Sequence, residues 1–168
     1  MANYFIPARF PTGSSNILGL PVKTGETFKI GAVLIFDAGE VKESGADPAA
    51  ATVVGIAAAA AFTNPGYDVA NSDQVETYTG RSAVQSVHQA DRTSVFSGLG
   101  TEDSGATFVT PADANVGVYY GLVKAASGIW YIDISDTTND DILIVDYDRT
   151  GMTKKFFFKF AEAILAIP

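Results

Sequence analysis

The sequence predicts an all-β protein: a compact antiparallel sandwich or barrel, or two small β modules, behind an extended N-terminal arm. From Val22 onward, short β-branched and aromatic runs are separated by Gly, Asp, Asn and Pro at intervals of 8 to 15 residues, the spacing of strands joined by turns. The chain of 168 residues is long enough to bury a hydrophobic interior without covalent staples. Residues 1–21 read differently from the rest and form the arm; residues 22–168 form the β domain, with a candidate sub-module boundary at 62–73.

Within the arm, residues 2–21 show neither helical nor strand periodicity, and Pro7, Pro11 and Pro21 remove backbone donors. Tyr4, Phe5, Ile6 and Phe10 make it too apolar to hang in water, so it should lie against something. The first strand is placed over 27–37, where the unbroken run Ala32 to Phe36 predicts cover on both faces. "DAG" at 37–39 supplies a turn, Gly39 taking positive φ, and the chain returns over 40–43 with Val41 inward between charges. Ile30, Val33, Leu34, Ile35 and Phe36 are the expected core of this unit, with Gly31 and Gly39 at its turns.

Next comes 52–58, read as a strand for its β-branched start although alanines follow. Further strands are expected at 74–79, 83–88, 93–97, 106–109, 116–124, 129–134, 142–148 and 155–161. The last, "FFFKF", also fits a helical face and is read as a strand with a short helical or irregular tail.

Composition narrows function. Apolar residues are 47% of the chain and charged ones 18%, below the usual level of about 25%, which predicts apolar surface buried against partners. A net charge of −8 opposes binding to a phosphate backbone. With no cysteine, disulfides, thiolate nucleophiles and Cys-bound zinc are excluded. The N-terminus has no signal-peptide pattern, and the weakly charged run 49–67 is a poor membrane span, so a soluble protein made in the cytoplasm is expected.

Residues suited to catalysis or metal binding are few. His88 is the single histidine, on a strand face with Val84 and Ser86, and it has no nucleophile elbow to serve. "FSGLGTEDSG" (96–105) matches neither phosphate loop nor dinucleotide fingerprint and reads as a surface turn. Asp133, Asp136, Asn139, Asp140, Asp141, Asp146 and Asp148 are the densest set of oxygen ligands and the one candidate for Ca²⁺, which takes six to eight of them, yet the glycine and terminal glutamate of an EF-hand are missing and turns between strands, the favoured reading, use the same residues. No catalytic residue, metal ligand or cofactor site is assigned.

Two resemblances bear on function. "LPVKTGETFKIGAVLIFDAGEVKESGADPAAATVVGIAAAAA" (20–61), with "NPGYDVANSDQVETYTGR" (64–81) and "ADANVGVYYGLVKAASGIWYIDISDTTNDDILIVDYD" (112–148), resembles tailed-bacteriophage capsid decoration, or head cement, proteins. That likeness implies a non-enzymatic virion protein on the outer capsid surface. Its partners would be the major capsid protein and its own copies as a homodimer or homotrimer, the trimer preferred, with no nucleic acid, membrane or cofactor. Tyr4, Phe5, Arg9 and Phe10 of the arm are then the candidate capsid contacts.

"PGYDV" (65–69), "GRSA" (80–83) and "VDYDRTG" (145–151) are similar to motifs of trimeric dUTP pyrophosphatases, in which Asp146 would serve catalysis, but their spacing departs from that family and no phosphate lid closes the C-terminus. A third reading is a virion-surface carbohydrate-binding module stacking sugars on Trp130, Tyr131, Tyr119 and Tyr120.

Overall fold

A computed structural model describes residues 5–9, 17–58, 84–102 and 107–166. Its strands are β1 (Ile6–Arg9), β2 (Ile17–Pro21), β3 (Val33–Asp37), β4 (Glu40–Glu43), β5 (Val53–Ala57), β6 (Val84–Gln89) and β7 (Val95–Gly98), then β8 (Gly100–Glu102), β9 (Thr107–Phe108), β10 (Tyr119–Lys124), β11 (Trp130–Asp133), β12 (Ile142–Tyr147) and β13 (Phe156–Phe160). Two single 3-10 turns, Asp113–Asn115 and Glu162–Ile164, are the helical elements among the described residues. No helix there is long and apolar enough to cross a membrane.

The strands form two sheets, neither closed into a barrel. One has eight strands in the order β1-β7-β13-β12-β10-β11-β8-β9, the other five in the order β2-β6-β5-β3-β4. The paired strands run antiparallel except β8 and β11, which run parallel with Ile132 opposite Gly100. In the smaller sheet β2 and β4 are opposite edges, yet Val22 bridges Val41 and the Lys23 amide donates to the Val41 carbonyl. That sheet therefore curls back on itself without closing.

The expected hairpin is present. Asp37 pairs with Glu40 around a two-residue turn, with Ala38 at φ 54° and Gly39 at φ 89°. Val41 is fully buried between half-buried Glu40 and Lys42. Its first strand is shorter than 27–37, because the Ala32 amide bonds back to Lys29 and the Gly31 amide to Ala57, a turn that delays entry into β3 until Val33. Val33 and Leu34 are fully buried, whereas Ile30, Ile35 and Phe36 are only partly covered.

One cluster of buried apolar side chains draws on both sheets, from Val33, Leu34, Val53 and Ile56 in the smaller to Phe96, Trp130, Ile142, Phe156 and Phe158 in the larger. The chain itself ties the sheets together after β13. The segment 163–166 lies along the start of β5, where the amides of Ala51 and Thr52 donate to Ala163 and Ile164, and the Ala166 amide donates to Val53. The Glu43 side chain on β4 adds polar links to β10 and β11.

Two sequence expectations need correction. Residues 6–9 and 17–21 of the arm are strands, pairing with β7 and β6; their prolines sit at sheet edges, where a missing donor costs no ladder bond. The surface turn expected at 96–105 instead contains most of β7 and all of β8, and Gly98 and Gly100 are buried. These glycines make room for neighbours: a Cβ would stand 2.4 Å from the Phe5 ring at Gly98 and 2.5 Å from the Phe156 ring at Gly100. The strand expected at 74–79 and the boundary at 62–73 lie outside the described residues.

Candidate functional site

The expected contact residues of the arm separate. Tyr4 and Phe10 lie outside the described residues, and Arg9 is placed by its backbone, opposite Val95. Phe5 is 1% exposed, its ring edge-on to Phe158 with centroids 4.9 Å apart, so it is used up in the chain's own core. The aromatic set proposed for sugar stacking is divided: Trp130, Tyr131 and Tyr120 are buried and Tyr119 alone of the four is exposed.

The acidic residues of 133–148 are engaged in local turns. Asp133 accepts from Ser135. Asp136 accepts from the amide and hydroxyl of Thr138 and from the amide and side chain of Asn139. Burial pushes the Asp136 carboxyl up, but these donors outweigh it and hold the group below its ordinary range. The hydroxyls of Thr150 and Thr153 hold Asp148 far below the carboxylate range, and Asp146 pairs with Arg149 at 3.2 Å. Among the described residues no group of three or more acidic or histidine side chains can hold a metal ion.

Asp141 differs from its neighbours. Its carboxyl is buried, accepting from the Leu122 amide at 3.2 Å, and burial pushes it up to about 6, with Asp47, Asp136 and Asp140 adding in the same direction. His88, half-buried on β6 opposite Ile17 and Ile56, is pushed below the usual imidazole range by burial. The motifs at 65–69 and 80–83 lie outside the described residues, and Asp146 of the third motif lies on β12 opposite Phe157.

What the fold does assemble is a surface. Along β12 and β13, Ile142, Ile144, Phe156, Phe158 and Phe160 enter the core, which turns Leu143, Val145, Phe157 and Lys159 to the opposite face. Phe157 pairs with Ser97 on one side and Asp146 on the other; Lys159 pairs with Leu143, and Leu143 with Tyr119. Two open depressions of about 500 and 570 Å³ lie side by side here. The first is lined by Ala8, Val95, Val145 and Phe157, the second by Tyr119 and Leu143, and Lys159 belongs to both.

Tyr119 and Asp146 were singled out from the sequence for other roles, but the face as a whole was not expected. Its signal was present in "ILIV" and "FFF", runs apolar at consecutive positions and hence apolar on both sides of a strand.

Comparison with protein-family models, with curated proteins and with solved structures found no match.

Proposed function

We propose that this chain is a structural protein of a bacteriophage virion that sits on the outer capsid surface and stabilises the shell by bridging major capsid subunits. The observation that carries the reading is the resemblance of 20–61 to capsid decoration proteins, whose glycines fall where this backbone has a use for them. Gly39 occupies a left-handed turn position, and Gly55 sits where β5 and β6 approach too closely for any side chain.

The role is mechanical and not enzymatic. A protein that touches two neighbouring capsid subunits binds fully only when both are correctly placed, so its binding energy stabilises the assembled shell over the separated parts. The arm contributes through Tyr4, Arg9 and Phe10, Phe5 being its anchor within the chain.

Co-sedimentation of the purified chain with expanded empty capsids tests the reading. Saturable binding with a raised temperature of shell disruption is expected. Failure to sediment with shells at any ratio overturns it.

A further inference from the structure

We propose that the outer face of the eight-stranded sheet binds a second copy of this chain across a two-fold axis running along the Phe157–Leu143 diagonal. The proposal rests on the decoration reading for its biological setting and deepens it by naming the surface through which copies join.

The apolar character of the face calls for an occupant, and charge selects which one. At −8 per chain, two copies repel each other unless the surfaces that meet carry compensating charge. Four residues at the centre of the face form the corners of a quadrilateral: Phe157 and Lys159 on β13, with Asp146 and Leu143 opposite them on β12. Phe157 and Leu143 share one diagonal, Lys159 and Asp146 the other.

A two-fold axis lying in the contact plane along the apolar diagonal sets Phe157 against Phe157 and Leu143 against Leu143. The same operation exchanges the charged corners, so Lys159 of each copy meets Asp146 of the other. This reciprocity is what a two-fold contact requires, each residue finding its complement at the position its partner finds in turn. A uniformly acidic or basic partner would satisfy only one of the two corners.

The existing bonds of both charged groups leave them able to respond. Lys159 Nζ donates to the Arg92 carbonyl at 3.2 Å and Asp146 lies 3.2 Å from Arg149, both at the exposed surface. Exposed pairs of this kind contribute little to stability and rearrange readily. The apolar floor of Val95, Val145 and Phe157 supplies the desolvated centre that a charged rim alone could not.

Light scattering of the full chain over a range of concentrations reads the outcome without any capsid present. The wild type is expected at twice the single-chain mass. Lys159→Asp, which sets like charges together at both corners, should halve that mass, while Lys159→Asp combined with Asp146→Lys should restore it. Circular dichroism controls for folding of each variant. A wild type that stays at single-chain mass, a wild-type trimer, or a dimer indifferent to both variants overturns the proposal. Because shells are absent, this result is separate from capsid binding: a dimer that ignores shells defeats the decoration reading alone.

Discussion

The indole N–H of Trp130 donates to Glu43 Oε1 at 2.7 Å, joining β11 of the larger sheet to β4 of the smaller. Glu43 Oε2 accepts from Lys124 at 2.6 Å, and only 7% of the Glu43 side chain is exposed. One carboxylate thus serves a buried indole and a more exposed ammonium. Lys124 can turn to water if the acid is removed, but Trp130, at 1% exposure, cannot. Glu43→Ala is therefore expected to destabilise by ~2–3 kcal/mol, the cost of an orphaned buried donor that had a charged partner. Glu43→Gln keeps an acceptor and should lose about half as much. Urea unfolding with an unchanged slope checks both values, and equal losses for the two variants would place the effect in packing instead.

Asp141 should make this protein more stable in mild acid. Its folded-state value of about 6 lies above the ordinary 3.8, so the folded form binds a proton more tightly than the unfolded one. That contribution is fully present below 3.8 and is lost as pH rises through 6. Asp37, lowered to about 2 by hydrogen bonds from Lys23 and Lys42, acts in the opposite sense, its contribution present above 3.8 and lost as pH falls towards 2. Together the two place the stability maximum near pH 4, with a decline from there to about pH 6. Each tenfold difference in proton affinity between the folded and unfolded forms is worth about 1.4 kcal/mol, so Asp141→Asn should be more stable than wild type at pH 8 by up to ~3 kcal/mol. The variant should lose the decline between about pH 4 and 6 and keep the rise with pH through the imidazole range that half-buried His88 contributes. Thermal melts across that range decide it; parallel profiles for the two proteins would remove Asp141 as the cause.

The β3–β4 turn places an alanine where an L-residue is strained. Ala38 at φ 54° and Gly39 at φ 89° form a two-residue hairpin turn whose favoured sequence is Asn-Gly. A side chain in the left-handed region costs roughly 1–2 kcal/mol, which asparagine partly recovers by local hydrogen bonding. Ala38→Asn should raise stability by ~0.5–1 kcal/mol, whereas Gly39→Ala should lower it by ~1 kcal/mol. Denaturation midpoints that move the same way for both would exclude this turn geometry.

Thr101 shows how burial alone can set a sign. Its hydroxyl is fully buried on β8 with no hydrogen-bond partner among the described residues, so its lost hydration is not replaced there. Thr101→Val keeps the shape and removes the polar atom; a gain of ~1 kcal/mol is expected, read as a higher melting temperature. A loss would mean that the hydroxyl is satisfied in solution.

Elements with local causes were legible in the sequence. The hairpin follows from "DAG" between apolar runs, and "FFFKF" is a strand because three of its aromatics enter the core. β1 and β2 were hidden because edge strands accept prolines and need no alternation, their pairing being supplied by β7 and β6. β8 was hidden because Gly98 and Gly100 look like turn residues, although their small size serves Phe5 and Phe156. The Glu43–Trp130 bond joins residues 87 apart, and only the packing of two sheets brings them together. The apolar outer face was written into "ILIV" and "FFF", but which side of a strand meets the core is decided by its neighbours.

Gly55 and Gly98 are both filled by neighbours, yet they should respond differently to substitution. A Cβ at Gly55 would stand 2.0 Å from the His88 carbonyl oxygen, a backbone atom held in the β5–β6 ladder. A Cβ at Gly98 would stand 2.4 Å from the ring of Phe5, a side chain from the N-terminal segment. Backbone cannot withdraw without opening the sheet, whereas a side chain can be shortened. Gly55→Ala is expected to cost ~3 kcal/mol or more, at the severe end for point substitutions, with no second-site relief from side-chain truncation. Gly98→Ala should cost ~1–3 kcal/mol as overpacking, and Phe5→Ala alone ~3–5 kcal/mol as a cavity. Combined, the last two should cost less than their sum by ~1 kcal/mol or more, because the new methyl no longer meets the ring and occupies part of the space it left. Strict additivity in a double-mutant cycle would mean that Phe5 does not lie over Gly98.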